Sequence, residues 1–541
     1  MSSPMRHAAL TVSPTMAVEA AVGPAEPVLD VNDIQGNILA GFNKDQQSYL
    51  YLRIKNVKRA KEWIKTKLAP RLASTSEVLA FNRLYRAARE AHGAEHLPVK
   101  ATWINAGFSA AAIAKLAPAG DASQFGDKAF QLGLAQRSEF LGDPADPRAA
   151  GNKKRWKVGG PDREADIVVI VASDDKTWGL VEVTLLRASA ALSGLEEIYL
   201  QHGATLPDPW RGHEHFGFKD GISQPGIRGR VSAGPADFLT RRWIDPADAR
   251  SQFFGKPGQP LIWPGEFVLG LPRQEPLALD TTPADPATLF PAWARNGSYL
   301  VIRRLRQDYG AFWEFVNKQA GEIGVPADKL ASQMVGRWQS GAPIMRSPAV
   351  ENRALGADDL ANNHFAFNRD STPVVLNAPG YPGDSFPTAH NDFLGQVCPH
   401  FAHIRKVNPR DGATDLGVSE DTGTRFLLRR GIPYGATVLG AARPTAAQLK
   451  ADRGLIFVAY QASIENQFET LIRRWSNTPN LPNPGGHDPV IGQEETHGNR
   501  RRFIDVPGAR RCFLDRDFVI PTGGGYFFAP SISAVRNVLG G

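Results

Sequence analysis

Three short segments set ionisable side chains beside glycine or proline, where the backbone can turn sharply and aim them, rather than on a repeating solvated face. The first is His213-Glu-His-Phe-Gly217-Phe-Lys-Asp220-Gly221-Ile-Ser-Gln-Pro-Gly226. Glycines around Asp220 permit a tight turn that presents its carboxylate to a cavity, as proton transfer requires; alone, the pattern reads equally as a surface Asx turn. The second is Cys398-Pro-His400-Phe-Ala-His403-Ile-Arg405-Lys406-Val-Asn-Pro409-Arg410, with two imidazoles three residues apart. A neutral imidazole is a common axial ligand of haem iron, and either His400 or His403 suits that role, as either suits a structural one. Zinc is disfavoured, because no Cys or acidic residue stands at a recognised ligand spacing. Arg405, Lys406 and Arg410 form a solvated or anion-facing patch, haem propionates being one such anion. The third is Arg425-Phe-Leu-Leu-Arg429-Arg430-Gly431-Ile432-Pro433-Tyr434-Gly435, where an arginine held rigidly at a strand end can stabilise developing negative charge, or simply flank a turn.

These segments need a scaffold, and the hydrophobic pattern supplies one. Leu50, Leu52 and Ile54 alternate with Tyr49, Tyr51 and Arg53 as a half-buried strand, followed by Ala60, Trp63, Ile64 and Leu68 at helical spacing. A strand over Ala101–Ala106, an apolar strand over Ile167–Ala172, a helix over Asp174–Ala191 and a strand over Glu197–His202 complete a ferredoxin-like order. The second half repeats the theme: strand at Tyr299–Ile302, helix at Asp308–Gln319, strands at Phe426–Leu428 and Leu455–Tyr460, helix at Ile464–Trp475. Phe518 to Ala529 reads as two short strands around a glycine turn, since its glycines fit neither a Walker nor a dinucleotide fingerprint. The expected fold class is therefore α+β, with two ferredoxin-like domains of antiparallel sheet and helices enclosing a pocket. The expected divisions are a loose tail over 1–28, a first domain over 29–225 ending in the Asp220 loop, and a second over 226–541 with long inserts at 230–265 and 340–395.

Composition narrows the function classes. The chain has 541 residues, 62 Lys plus Arg against 55 Asp plus Glu, 42% hydrophobic and 22% charged residues, which is ordinary globular composition. Acidic and basic residues are evenly mixed, so no nucleic-acid partner is expected. Only Cys398 and Cys512 are present, which excludes a disulfide framework, a thiolate iron–sulfur site and thioether attachment of a haem. Apolar runs are strand-length, so no membrane partner is expected, and with no export signal readable the default location is cytoplasmic.

Taken together, the three segments resemble the dye-decolourising peroxidase family. Gly217-Phe-Lys-Asp220-Gly221 is similar to its distal GxxDG signature, Ala402-His403-Ile-Arg-Lys-Val-Asn-Pro-Arg410 to its proximal-histidine segment, and Leu428-Arg429-Arg-Gly-Ile-Pro-Tyr434-Gly to its distal-arginine segment, in matching order. Asp33-Ile-Gln-Gly-Asn-Ile-Leu39 and Gly454-Leu-Ile-Phe-Val-Ala-Tyr-Gln461 extend the likeness. The resemblance implies a peroxidase with non-covalent haem b, metal-ligated by His403, and with Asp220 and Arg429 as the catalytic pair meeting hydrogen peroxide. Asp220 would move a proton between the peroxide oxygens and Arg429 would stabilise charge, giving an oxoferryl haem that takes single electrons from dyes, phenols or other aromatic donors. A carboxylate keeps its base form to lower pH than an imidazole, so an acidic optimum is expected. Leu455 and Phe457 resemble residues that shape the distal pocket, Arg405 is placed against the cofactor, Asp488 is a candidate acceptor for the His403 ring N–H with Glu494 and Glu495 nearby, and Trp475 resembles a surface electron relay. A non-catalytic haem carrier or iron-release protein is the alternative; it would need His403 but not Asp220 and Arg429 together. Oligomeric state, homo-oligomers included, is left open.

Overall fold

The computed structural model describes residues 25–92, 99–277, 282–493 and 502–541. The first half runs β1 (Gln46–Ile54), α1 (Val57–Trp63), α2 (Thr75–His92), β2 (Thr102–Phe108), β3 (Ile167–Ser173), α3 (Lys176–Leu192) and β4 (Leu195–Ala204). The second runs β5 (Ser298–Gln307), α4 (Tyr309–Ile323), α5 (His403–Val407), β6 (Leu428–Arg429), β7 (Ile432–Tyr434), β8 (Gly454–Gln461), α6 (Ile464–Ser476, π-wound) and β9 (Val519–Ala529). Side chains start the helices where the sequence offers caps: Asp175 accepts from Thr177 and Trp178 N–H at α3, Asp308 from Ala311 at α4, and Ser463 from Asn466 at α6.

Spatial order explains why the two halves read alike. The antiparallel sheet runs β4-β1-β3-β2-β9-β5-β8-β6, with β7 also on β8. Each half is thus a ferredoxin-like four-strand order, and the halves join where Phe528 of β9 pairs with Phe108 of β2. At the other end, a Cβ on Gly203 of β4 would stand 2.6 Å from Ile432 Cγ2 of β7, so the outer strands meet and the sheet curls into a barrel. Alternation divides the barrel cleanly. Tyr49, Tyr51, Ile170, Ile302, Val458 and Tyr460 fill the interior, whereas Leu50, Leu52, Val169, Val301, Ala459 and Phe528 pack outward under the helices.

Two expectations change here. The segment 518–529 is one continuous strand with a register shift between Pro521 and Gly523, not a hairpin. Gly524 serves close backbone approach: a Cβ there would lie 2.0 Å from Ile302 O. The helix α2 was not anticipated: its length is largely exposed and, averaged over its residues, polar. The first 24 residues of the expected tail, and Glu494 and Glu495, lie outside the described residues.

Candidate active site

The site occupies the outer face of the second half. Antiparallel pairing sets Arg429 opposite Ala459, and paired residues share a face; Arg429 therefore emerges on the side of Leu455 and Phe457. These three, with Asp220, His403 and Phe468, line one cavity of about 290 Å³. Five of the residues singled out in the sequence, drawn from four separate segments, thus line one cavity.

Asp220 rides on a loop with positive φ at both flanking glycines, Gly217 (101°) and Gly221 (78°). The φ of Gly217 favours glycine, and a Cβ there would also come within 2.6 Å of Gln339 Nε2. The loop is pinned by Lys219 N–H donating to Gln339 O at 3.0 Å and Asp220 N–H donating to Gly212 O at 2.9 Å. Asp220 Oδ1 accepts from Gly221 N–H at 2.6 Å and from Arg429 Nη1 at 3.2 Å. Arg429 Nη2 donates to Ser223 O at 2.8 Å, and Gln224 brackets the Arg429 backbone, donating to its O and accepting from its N–H. The guanidinium is therefore fixed, while Asp220 Oδ2 has no hydrogen-bond partner among the described residues.

His403 opens the short helix α5. Its Nδ1 lies 2.8 Å from Asp488 Oδ2, which leaves Nε2 for the cavity. Asp488 is fully buried, and its other oxygen accepts from Val490 and Ile491 N–H at 2.8 and 3.0 Å. Burial pushes this carboxyl up, but the facing imidazole and those N–H groups outweigh it and bring it below the usual carboxylate range. Burial likewise disfavours a charged His403, yet the Asp488 charge and hydrogen bond prevail and raise its pKa above the usual imidazole value. An ionised Asp488 thus fixes the tautomer that presents Nε2, the arrangement found behind metal-bound imidazoles. His400 has both ring nitrogens on backbone carbonyls, of Pro484 and Phe393, and does not line the cavity.

Three placements correct the sequence reading. Arg405 does not face the cavity: it is buried, with Nη1 on Asp392 Oδ2 at 3.1 Å and on Cys398 O at 2.7 Å, because its position on α5 turns it into the protein. Lys406 is buried too, donating to Thr478 O and Leu481 O, so it fastens α5 to the chain after α6. Of that basic patch Arg410 reaches the cavity, joined by Arg337; both donate to Asn363 Oδ1, and no salt bridge joins either to a carboxylate among the described residues. Trp475 is 0% exposed and donates to Asp415 Oδ1 at 3.1 Å, so it is not itself a surface residue.

Sequence reasoning also missed two charged cavity residues, Arg303 and Glu214. Arg303 bonds both oxygens of Asp143 at 2.8 and 3.0 Å, with Nη1 buried and unpartnered. Glu214 accepts from Phe216 and Phe218 N–H and from Gln307; burial drives its carboxyl up to about 7. The adjacent His215 is buried and held down to about 4.

The cavity suits a haem by its own features. It offers one imidazole nitrogen with its partner nitrogen anchored, apolar walls from Leu455, Phe457 and Phe468, and buried guanidiniums without a carboxylate partner that match the propionates of such a ligand. Comparison with known proteins agrees. Residues 33–205 match the model of the DyP dimeric alpha+beta barrel domain and residues 286–482 that of the Dyp-type peroxidase C-terminal domain. The chain belongs to the dye-decolourising peroxidase family, whose members are haem enzymes, and is a peroxidase oxidoreductase. It is similar to the dye-decolorizing peroxidase msp1 of Mycetinis scorodonius, 32% identical over 97% of this chain and 90% of that one, and to AauDyP1 of Auricularia auricula-judae, 31% identical over 96% and 88%. An ancestral D-type dye-decolorizing peroxidase structure superposes with a TM-score of 0.74 at 30% identity, covering 95% of this chain and 99% of that one. Among the described residues no helix is long and apolar enough to cross a membrane.

Proposed function

We propose that this protein reduces hydrogen peroxide at a non-covalently held haem b ligated by His403, and oxidises dyes, phenols or other aromatic donors in one-electron steps. One observation carries the reading: the fixed Asp220–Arg429 pair and the free Nε2 of His403 line the same cavity. The bound haem supplies the redox iron at which the peroxide O–O bond is cleaved. His403 Nε2 is the protein ligand, and Asp488, by holding the Nδ1 proton, makes that nitrogen a stronger donor. Asp220 Oδ2 takes a proton from one peroxide oxygen and returns it to the other, turning the departing oxygen into water. Arg429, permanently charged and already held by Ser223 O and Asp220, stabilises negative charge on the peroxide without rearranging. Leu455 and Phe457 narrow the cavity and exclude bulky donors.

A haem carrier would use His403 but has no need of an acid–guanidinium pair fixed opposite, and that pair favours the peroxidase. The test is the haem absorption band and its response to one equivalent of peroxide. Loss of the band in His403→Ala, and a slowed response with an intact band in Arg429→Leu, are expected. A carboxylate in place of an imidazole base further predicts a rate maximum in acid; a maximum above neutrality contradicts it.

A further inference from the structure

An outer helix of a globular protein ordinarily turns its apolar stripe to the core and a charged face to water. The helix α3 buries Val183, Leu186 and Ala190, yet its opposite face is apolar as well. Trp178, Leu180, Val181, Leu185 and Leu192 are between 41% and 79% exposed. At about 100° per residue they fall, with the exposed Ala188, on an arc of roughly 160° that holds no charged residue. Together the five leave roughly 600 Å² in water, the upper end for the largest apolar patch of an ordinary monomer. Charges at the borders of the arc are already paired. Glu182 meets Arg71 at 3.0 Å, and Arg187 meets both oxygens of Glu197 at 2.5 and 3.0 Å. Beyond them the helix carries one more charged residue, Lys176 at its first position. Such borders hold little free charge for an anionic lipid surface, and their neutrality lets two like surfaces approach.

Spacing favours a second copy of the same helix. Trp178, Val181, Leu185, Ala188 and Leu192 repeat at alternate steps of three and four residues, the seam along which helices pack in pairs. That repeat is nearly symmetric about Leu185. With two helices antiparallel, Trp178 lies against the partner's Leu192, Val181 against the partner's Ala188, and Leu185 against its own counterpart, so one self-complementary patch serves both copies. Two such patches bury roughly 1,200 Å², the lower bound of a specific interface. We propose that the α3 face joins two copies of this chain, helix to antiparallel helix, about a twofold axis at Leu185. The helix does not line the haem cavity, so pairing leaves the lining of each site unchanged.

Sedimentation equilibrium of the haem-loaded protein tests this, with Leu185→Arg and Leu185→Glu at an exposed position. Wild type is expected at twice the monomer mass, with a dissociation constant on the order of micromolar. Each variant alone sets like charges face to face on the axis and is expected to weaken pairing at least tenfold. An equimolar mixture of the two, carboxylate opposite guanidinium, is expected to re-form the dimer. Leu192→Glu, at the last position of the helix, is expected to dissociate the dimer likewise. The haem band and peroxide reaction of every variant should stay within twofold of wild type, which separates lost pairing from lost folding. A monomeric wild type overturns the proposal, and its co-sedimentation with phosphatidylglycerol vesicles would assign the face to lipid instead. Dimers that persist in all three variants overturn it too, because the interface then lies elsewhere, as does a mixture that stays monomeric.

Discussion

At the scale of single residues, His403 and Asp220, the proposed iron ligand and proton carrier, each have one side-chain atom committed and one free. His403 commits Nδ1 to Asp488, and Asp220 commits Oδ1 to Arg429 and Gly221. Asp488→Asn keeps the shape but removes the charge that fixes the tautomer; haem affinity of the apoprotein, read by absorption titration, is expected to fall about 10–100-fold. Trp475 belongs at this scale too. Buried against Asp415, which also pairs with Arg474 near the surface, it can pass an electron outward only through neighbours. Trp475→Phe is expected to depress oxidation of bulky dyes while sparing reaction with peroxide; equal loss of both removes a relay role. Asp220, His403, Arg429, Leu455 and Phe457 were legible in the sequence because each sits in a short contiguous motif. Arg405 was misplaced because the basic residues of this segment look alike in sequence: Arg405 is carried into the protein on α5, whereas Arg410 follows the end of that helix and reaches the cavity. Arg303–Asp143 was invisible because its partners lie 160 residues apart.

At the scale of elements, the Asp220 loop carries the sharpest constraints. Gly217→Ala would meet Gln339 and adopt an unfavourable φ, so a loss of about 1–3 kcal/mol in unfolding free energy is expected, together with a slower peroxide reaction as Asp220 shifts. Two residues before Gly217, His215 donates from a neutral ring to Tyr434 O, tying the loop to β7. Burial lowers its pKa to about 4. As pH falls from about 6.5 towards 4, the unfolded imidazole takes up a proton that the folded one refuses, so the folded state loses stability; above about 6.5 the group adds no pH dependence. His215→Gln is expected to shed about one proton from the uptake on unfolding near pH 5, measured by the pH dependence of denaturant unfolding. An identical slope in the variant contradicts a buried neutral histidine.

At the scale of the molecule, two ferredoxin-like units were legible because each repeats its own strand–helix rhythm, whereas their fusion was not. The β2–β9 seam and the β4–β7 closure join segments hundreds of residues apart and leave no periodic mark. The haem cavity is likewise assembled across both halves, with Asp220 on the loop that follows β4, and Arg429 on β6, His403 on α5 and Asp488 from the second unit. The proposed reaction requires those segments to meet around one ligand. Stopped-flow mixing of the haem-loaded protein with peroxide tests this most directly, comparing wild type with Arg429→Leu and Asp220→Asn. A fall of about 10²–10³-fold in the second-order rate constant for each, with an unaltered resting spectrum, is predicted; wild-type rates in both variants would contradict it.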